Sequence, residues 1–246
     1  MNYSDIRFIE ADLHCHSLAC SHAYSTVNEL AQAAQKNGLK LFALTDHGVA
    51  MPDAPHIWHF TNLCVLPREI HGVKVLRGVE ADIMNFDGEL DMPSDELDKL
   101  EWVVASCHLP CIKAGTVTEN TNAYINAVKN NPQIDCIGHC TANRYEVDFD
   151  SIAKICREYD VAAELNEASI QFGRSPQTNC IDFICACKKY GTKISVNTDC
   201  HYADLIGRVP IAEQILLALD FPEELIFNRN AETVWEYVSK KRNINL

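Results

Sequence analysis

The 246-residue chain holds no run of eighteen apolar residues, so no segment can form a transmembrane helix. It is poor in positive charge, with 21 Lys+Arg against 34 Asp+Glu and a formal net charge of −13. That sign opposes general binding to nucleic acid or to an anionic membrane. None of the 12 cysteines forms a Cys-x-x-Cys pair, which removes the usual zinc-ribbon and thioredoxin signatures. The first twenty residues show neither a basic start nor an apolar core, so no secretory leader is read there. The cysteines are therefore expected as free thiols in a reducing cytoplasm, most of them small core hydrophobes. No Pro/Ser-rich linker or shift of composition divides the chain, and a single domain over 1–246 is expected.

The sequence does carry 47% hydrophobic and 22% charged residues, enough apolar material for a large core and against disorder. Strand candidates at 9–12, 41–45, 73–79, 102–106, 135–138, 161–165 and 193–197 alternate with amphipathic stretches. Helices are expected at 27–37 (capped by Ser25-Thr26, stopped by Gly38), 176–190 (Ser175 cap, Gly191 stop), 210–219 and 231–241. Just after the strand candidates stand His14, His47, Glu80, His108, His139, Asn166 and Asp199, separated by 33, 33, 28, 31, 27 and 33 residues. Each interval is about one βα unit. Seven such units predict an α/β protein, a (β/α)7 barrel, because a closed parallel barrel brings all its C-terminal strand ends to one face. The two long connections, 48–70 and 109–122, fall on that face as candidate lids or substrate walls.

Alternate residues of an extended segment point the same way, so in His14-Cys15-His16 both imidazoles can face one side while Cys15 turns away. Asp12 shares that parity and is the expected partner for a ring's second nitrogen. Seven of the ten histidines (14, 16, 22, 47, 108, 139 and 201) lie at or just beyond strand ends, with Glu80 and Asp199 closing two more. That many imidazoles and carboxylates packed together would bury uncompensated polar groups, and divalent cations remove the difficulty. Nine donors exceed the four to six positions of one ion, so two or three ions fit. A nitrogen-rich, thiolate-free set suits zinc first, with manganese or iron as the other candidates. Arg174 is the preferred substrate-binding arginine, ahead of Arg144 and Arg208, because a guanidinium offers a planar fork to an anion; Asn166 is read as a hydrogen-bond partner, and His56 and His59 as structural or substrate-facing.

Asp-Leu-His-Cys-His (12–16), Thr-Asp-His-Gly (45–48), Gly-Val-Glu (78–80), His108, His139 and Asp-Cys-His (199–201) resemble the PHP family, the polymerase and histidinol phosphatase superfamily. Ser21-His22-Ala23-Tyr24-Ser25-Thr26 and Pro55-His56-x-Trp58-His59-Phe60 resemble one bacterial branch of stand-alone trinuclear phosphatases. The resemblance implies a distorted (β/α)7 barrel. It also implies that His14, His16, Glu80 and Asp199 hold a first ion. Glu80 then bridges to a second ion with His108 and His139, while His22, His47 and His201 hold a third. Glu80, Asp199 and His201 are the expected catalytic set, and a metal-bridging hydroxide would attack a small phosphomonoester. A homo-oligomer is compatible with the resemblance. Two other readings remain open: an amidohydrolase-like hydrolase, which commonly uses a carboxylated lysine after its fourth strand, and a non-catalytic metal-binding module.

Overall fold

The computed structural model describes residues 8–244; the ends of the expected 1–246 domain, with residues 1–7 of the segment inspected for a leader, lie outside the described residues. The elements run β1 (Ala11–Cys15), α1 (Val27–Asn37), β2 (Leu41–Leu44), α2 (Ile57–Asn62), β3 (Glu69–Ile70), β4 (Val73–Asp82), α3 (Ser94–Leu97), β5 (Trp102–Ser106), α4 (Val117–Asn130), β6 (Cys136–Ile137), α5 (Phe149–Tyr159), β7 (Ala162–Asn166), α6 (Glu167–Gln171), α7 (Gln177–Tyr190), β8 (Ile194–Asn197), α8 (Pro210–Ala218) and α9 (Ala231–Arg242). Seven strands pair in parallel in the order β1-β2-β4-β5-β6-β7-β8, and β3 adds a short antiparallel edge to β4. The expected distorted (β/α)7 barrel is the architecture found.

Local chemistry explains the helix ends. Thr26 and Glu29 exchange hydrogen bonds in a capping box at the start of α1, and Gly38 ends it at φ 72°. At α7 the expected Ser175 cap is not used. The Ser175 hydroxyl accepts from Thr141 Oγ1 at 2.9 Å, and Pro176 occupies the cap position. The start of α8 is capped from a distance, with Glu167 accepting the N–H groups of Ile211 and Ala212 at 3.0 and 2.8 Å.

Alternation sets two apolar layers. Ala11, Leu13, Leu41, Ala43, Leu76, Trp102, Val104, Cys136 and Ala162 fill the barrel, closed below by Phe227 and by Val234 and Val238 of α9. Intervening residues such as Phe42, Val75, Val79 and Val103 pack outward under the helices.

Between β8 and β1 the ladder is replaced by a side chain. Asn228 donates to the carbonyls of Ala11 and Val196 at 2.7 Å each and accepts from Val196 N at 2.9 Å. Above it the two segments meet directly through His16 N and the Cys200 carbonyl at 2.9 Å. This seam is the distortion of the barrel.

Two strand limits and the end of one connection differ from expectation in ways that bear on the site. β1 extends to Cys15, with a register shift between Asp12 and Cys15, so His14 sits inside the strand. β4 continues to Asp82 and carries Glu80 opposite Val104 of β5. The connection after β5 stops at Thr116, where a Thr116–Glu119 capping box starts α4.

Candidate metal centre

The C-terminal strand ends converge on Glu80, which is fully buried. Its Oε1 faces His139 Nε2 at 2.9 Å and His108 Nε2 at 3.5 Å. Its Oε2 faces His47 Nδ1 at 2.9 Å, His14 Nε2 at 3.2 Å and His16 Nε2 at 3.5 Å. Asp199 Oδ1 reaches His16 Nε2 at 3.1 Å, His201 Nδ1 at 3.5 Å and His14 Nε2 at 3.7 Å. His22, half exposed, stacks its ring 4.4 Å from that of His201 and 5.3 Å from that of His47, and pairs with Asp53. All nine expected donors therefore meet at one end of the barrel.

The β-bulge in β1 overturns one expectation. Asp12 does not share the face of His14 and His16; it turns outward, accepting from Thr198 N at 3.1 Å, Thr198 Oγ1 and Gly207 N at 2.9 Å. The partner of His14 is Glu164 instead, with Nδ1 to Oε1 at 2.7 Å. Glu164 also accepts from Asn197 Nδ2 (2.8 Å), His139 N (2.8 Å) and Asn166 Nδ2 (3.0 Å). Asn166 is thus the hydrogen-bond partner expected of it. Asp82 orients His108 through Nδ1 at 2.7 Å, and Asp46 takes His59 Nε2 at 3.0 Å and Ser17 N at 2.7 Å. The sequence reading missed Glu164, Asp82 and Asp46. Glu164 left a signal, a carboxylate inside an otherwise apolar strand, where it must meet a partner.

The bystanders also have places. His56 caps α2 by accepting from Trp58 N at 3.2 Å. Cys15, Cys107, Cys140 and Cys200 are buried free thiols packed in the outer apolar layer. Gly48 permits a close approach, since a Cβ there would lie 2.3 Å from Asp91 Oδ2. Burial and the Asp82 charge raise Asp91 to about 7. Asp199 at φ 52° and His139 at φ 22° adopt the left-handed backbone that non-glycine residues avoid, a strain held where donors must be aimed.

Charge is unevenly matched in this pocket. Burial alone would neutralise Glu80 and Asp199, yet the surrounding imidazoles hold both carboxyls well below their usual range. Burial pulls His14 down, but Glu164, Glu80 and Asp199 outweigh it and hold the ring well above its ordinary value. At His16 burial wins, assisted by His47 and His201, and the ring falls to about 3. Five buried atoms of the expected donor set have no hydrogen-bond partner: His14 Nε2, His16 Nε2, His47 Nδ1, His201 Nε2 and Glu80 Oε2. All five point into the cluster's own donor groups, where atoms of His14, His16 and Glu80, of His47, Glu80 and His108, and of His16, His47 and His201 lie within 4.8 Å of one another. Unpartnered lone pairs facing a shared centre, with carboxylates kept ionised, are the donor chemistry of a divalent-cation site.

Beside the centre opens a cavity of about 350 Å³, reached past His108 and His139 and lined also by Arg144 and Arg174. Arg174 Nη2 lies 3.3 Å from Asp199 Oδ2, and its side chain is half exposed. Arg208 does not line this cavity. Among the described residues no helix is long and apolar enough to cross a membrane.

Comparison with known proteins agrees with this geometry. The profile of the PHP domain matches residues 12–240. A probable phosphatase of Caldicellulosiruptor bescii is 42% identical over 226 residues, covering 92% of this chain and 94% of its own. A probable phosphatase of Clostridium acetobutylicum is 40% identical over 239 residues, covering 96% and 98%. The histidinol phosphate phosphatase of Lactococcus lactis, solved with zinc, L-histidinol and phosphate, shares the fold with a TM-score of 0.58 at 16% identity, covering 96% of this chain and 94% of its own. The chain belongs to the PHP domain family.

Proposed function

We propose that this protein hydrolyses a small phosphomonoester with two or three divalent transition-metal cations, zinc before manganese or iron. The observation that carries the reading is Glu80, whose two oxygens face separate groups of imidazoles and leave lone pairs unpartnered between them. In the proposed set His14, His16, Glu80 and Asp199 hold one cation, Glu80, His108 and His139 a second, and His22, His47 and His201 a third. When bound, such cations supply Lewis acidity and lower the pKa of water toward neutrality.

The chain's own groups prepare that chemistry. Glu164 and Asp82 accept the Nδ1 protons of His14 and His108, which leaves each Nε2 lone pair free toward Glu80. Glu80, Asp199 and His201 form the catalytic set, because the carboxylates supply the negative charge that holds cations against the ester. Arg174, beside Asp199 and open to the cavity, offers a planar fork to phosphate oxygens. An amidohydrolase-like centre fits less well, since β5 leads into His108 and the central carboxylate is Glu80.

The test is elemental analysis combined with a phosphatase screen. Two to three transition-metal ions per chain are expected, with hydrolysis of p-nitrophenyl phosphate that is lost on chelation and in His14→Ala. Full metal occupancy with no hydrolysis of any phosphomonoester would overturn the enzymatic reading and leave a binding module.

A further inference from the structure

The cavity beside the metal centre has a one-sided charge. It is lined by Arg144, Arg174, His108 and His139, by the amide of Asn143, and by apolar or neutral groups including Leu109 and Tyr145, with no Asp or Glu among the lining residues. In a chain of net charge −13 this is a local reversal of sign. The two arginines also differ in what they already do. Arg174 leans on Asp199 at 3.3 Å, at the edge of the metal centre. Arg144 forms no ion pair among the described residues, and its side chain is exposed. The loops that carry them are tied together. Asn143 N donates to the Arg174 carbonyl at 3.0 Å, Thr141 Oγ1 donates to Ser175 Oγ at 2.9 Å, and Asn179 Nδ2 donates to the Thr141 carbonyl at 3.2 Å. Tyr145, buried, donates its hydroxyl to the Ile112 carbonyl at 2.8 Å and stiffens the same loop beside Arg144.

Resting on the proposed phosphomonoesterase reading, we infer that the substrate carries a second anionic group, a carboxylate or a further phosphate, and that Arg144 receives it. The hydrolysed phosphate occupies the metal end with Arg174, the short body of the ester lies along the Leu109 and Tyr145 wall, and the second anion reaches the Arg144 guanidinium. A cavity of about 350 Å³ limits that body to a small molecule. A cationic alcohol finds no counter-charge on this lining and meets two guanidinium groups instead. A charge-assisted hydrogen bond to the Arg144 guanidinium is stronger than a neutral one, so an ester with a second anion gains an interaction that a neutral ester cannot make.

The test uses the metal-loaded protein and three esters of matched length: 3-phosphooxypropanoate, propyl phosphate and 3-aminopropyl phosphate, with a 1,3-propanediol bisphosphate to separate carboxylate from phosphate. The expected result is a kcat/KM at least about tenfold higher for the carboxylate or bisphosphate ester than for propyl phosphate, with the amine ester lowest. Arg144→Ala is expected to collapse that ratio toward one, mainly through KM, and Arg144→Lys to restore part of it. Arg144→Glu is expected to turn the preference toward the amine ester. Equal kcat/KM for the charged and neutral esters, or a ratio unaltered in all three variants, would overturn the inference. Hydrolysis of propyl phosphate in that case would leave the phosphatase reading standing, whereas hydrolysis of none of the four would remove both.

Discussion

The two ends of the barrel both bury charge, and they settle it in opposite ways. At the base, Asp135 accepts from Lys241 Nζ at 2.7 Å, Arg242 Nη2 at 2.6 Å and Val103 N at 2.8 Å, so a buried carboxylate is fully matched by α9 and the sheet. Trp102 stacks on Phe227 beneath it at 5.7 Å and 11°. The Trp102 indole Nε1, which is uncharged, lacks a partner there, whereas at the rim two carboxylates share six imidazoles and five buried atoms of that donor set have none. The base is organised for stability; the rim carries polar groups whose satisfaction must come from outside the chain. Buried charge by itself is therefore a poor indicator of function, and the balance of donors and acceptors separates the two cases.

Variants at each end can break that contrast. The largest effect is expected for Glu80→Gln, which removes a charge faced by five imidazoles. Metal content should fall together with kcat/KM, the latter by roughly two to three orders of magnitude. Normal occupancy and turnover in that variant would mean that the rim is satisfied without cations. Glu164→Gln sharpens the comparison, because Glu164 is itself fully partnered and acts through His14 and the His139 backbone. Its expected effect is a roughly 10–100-fold loss of metal affinity, measured by competition with a chromophoric chelator. An unchanged affinity would show that ring orientation is set by packing alone. The smallest effect on activity is expected at the base. Asp135→Asn should lower unfolding free energy by about 2 kcal/mol in urea titrations, a value below that of a wholly buried pair because Lys241 and Arg242 retain some solvent contact. Metal content and kcat should stay at their original values. A loss of metal there would show that the two ends are coupled.

Much of the rim was legible before any coordinates. Donor residues recurring at about one βα unit gave the architecture, and His-x-His geometry gave the first two rings. What escaped was register. The choice of Asp12 assumed unbroken alternation in β1, and the bulge after Asp12 reverses its side, so a residue 150 positions away takes its place. The extension of β4 past Glu80 escaped for a related reason, since apolar periodicity fades where a buried strand begins to carry donors. The capping box at Thr116 and Glu119 was present as a Thr-x-x-Glu pattern and would have shortened the connection after β5. The second layer of Asp82, Asp46 and Glu164 depends on pairings between strands distant in sequence.

The Asn228 seam has a consequence for how this molecule fails. Six junctions of the barrel are zipped by backbone, which no side-chain replacement can remove, but the lower part of the seventh is bridged by side chains, Asn228 foremost, with Asn197 accepting from Leu13 N at 3.1 Å. Truncating Asn228 to alanine would bare facing margins of β1 and β8, each a template for pairing with another copy. A protein damaged there should be lost to intermolecular strand addition before its rim chemistry is impaired.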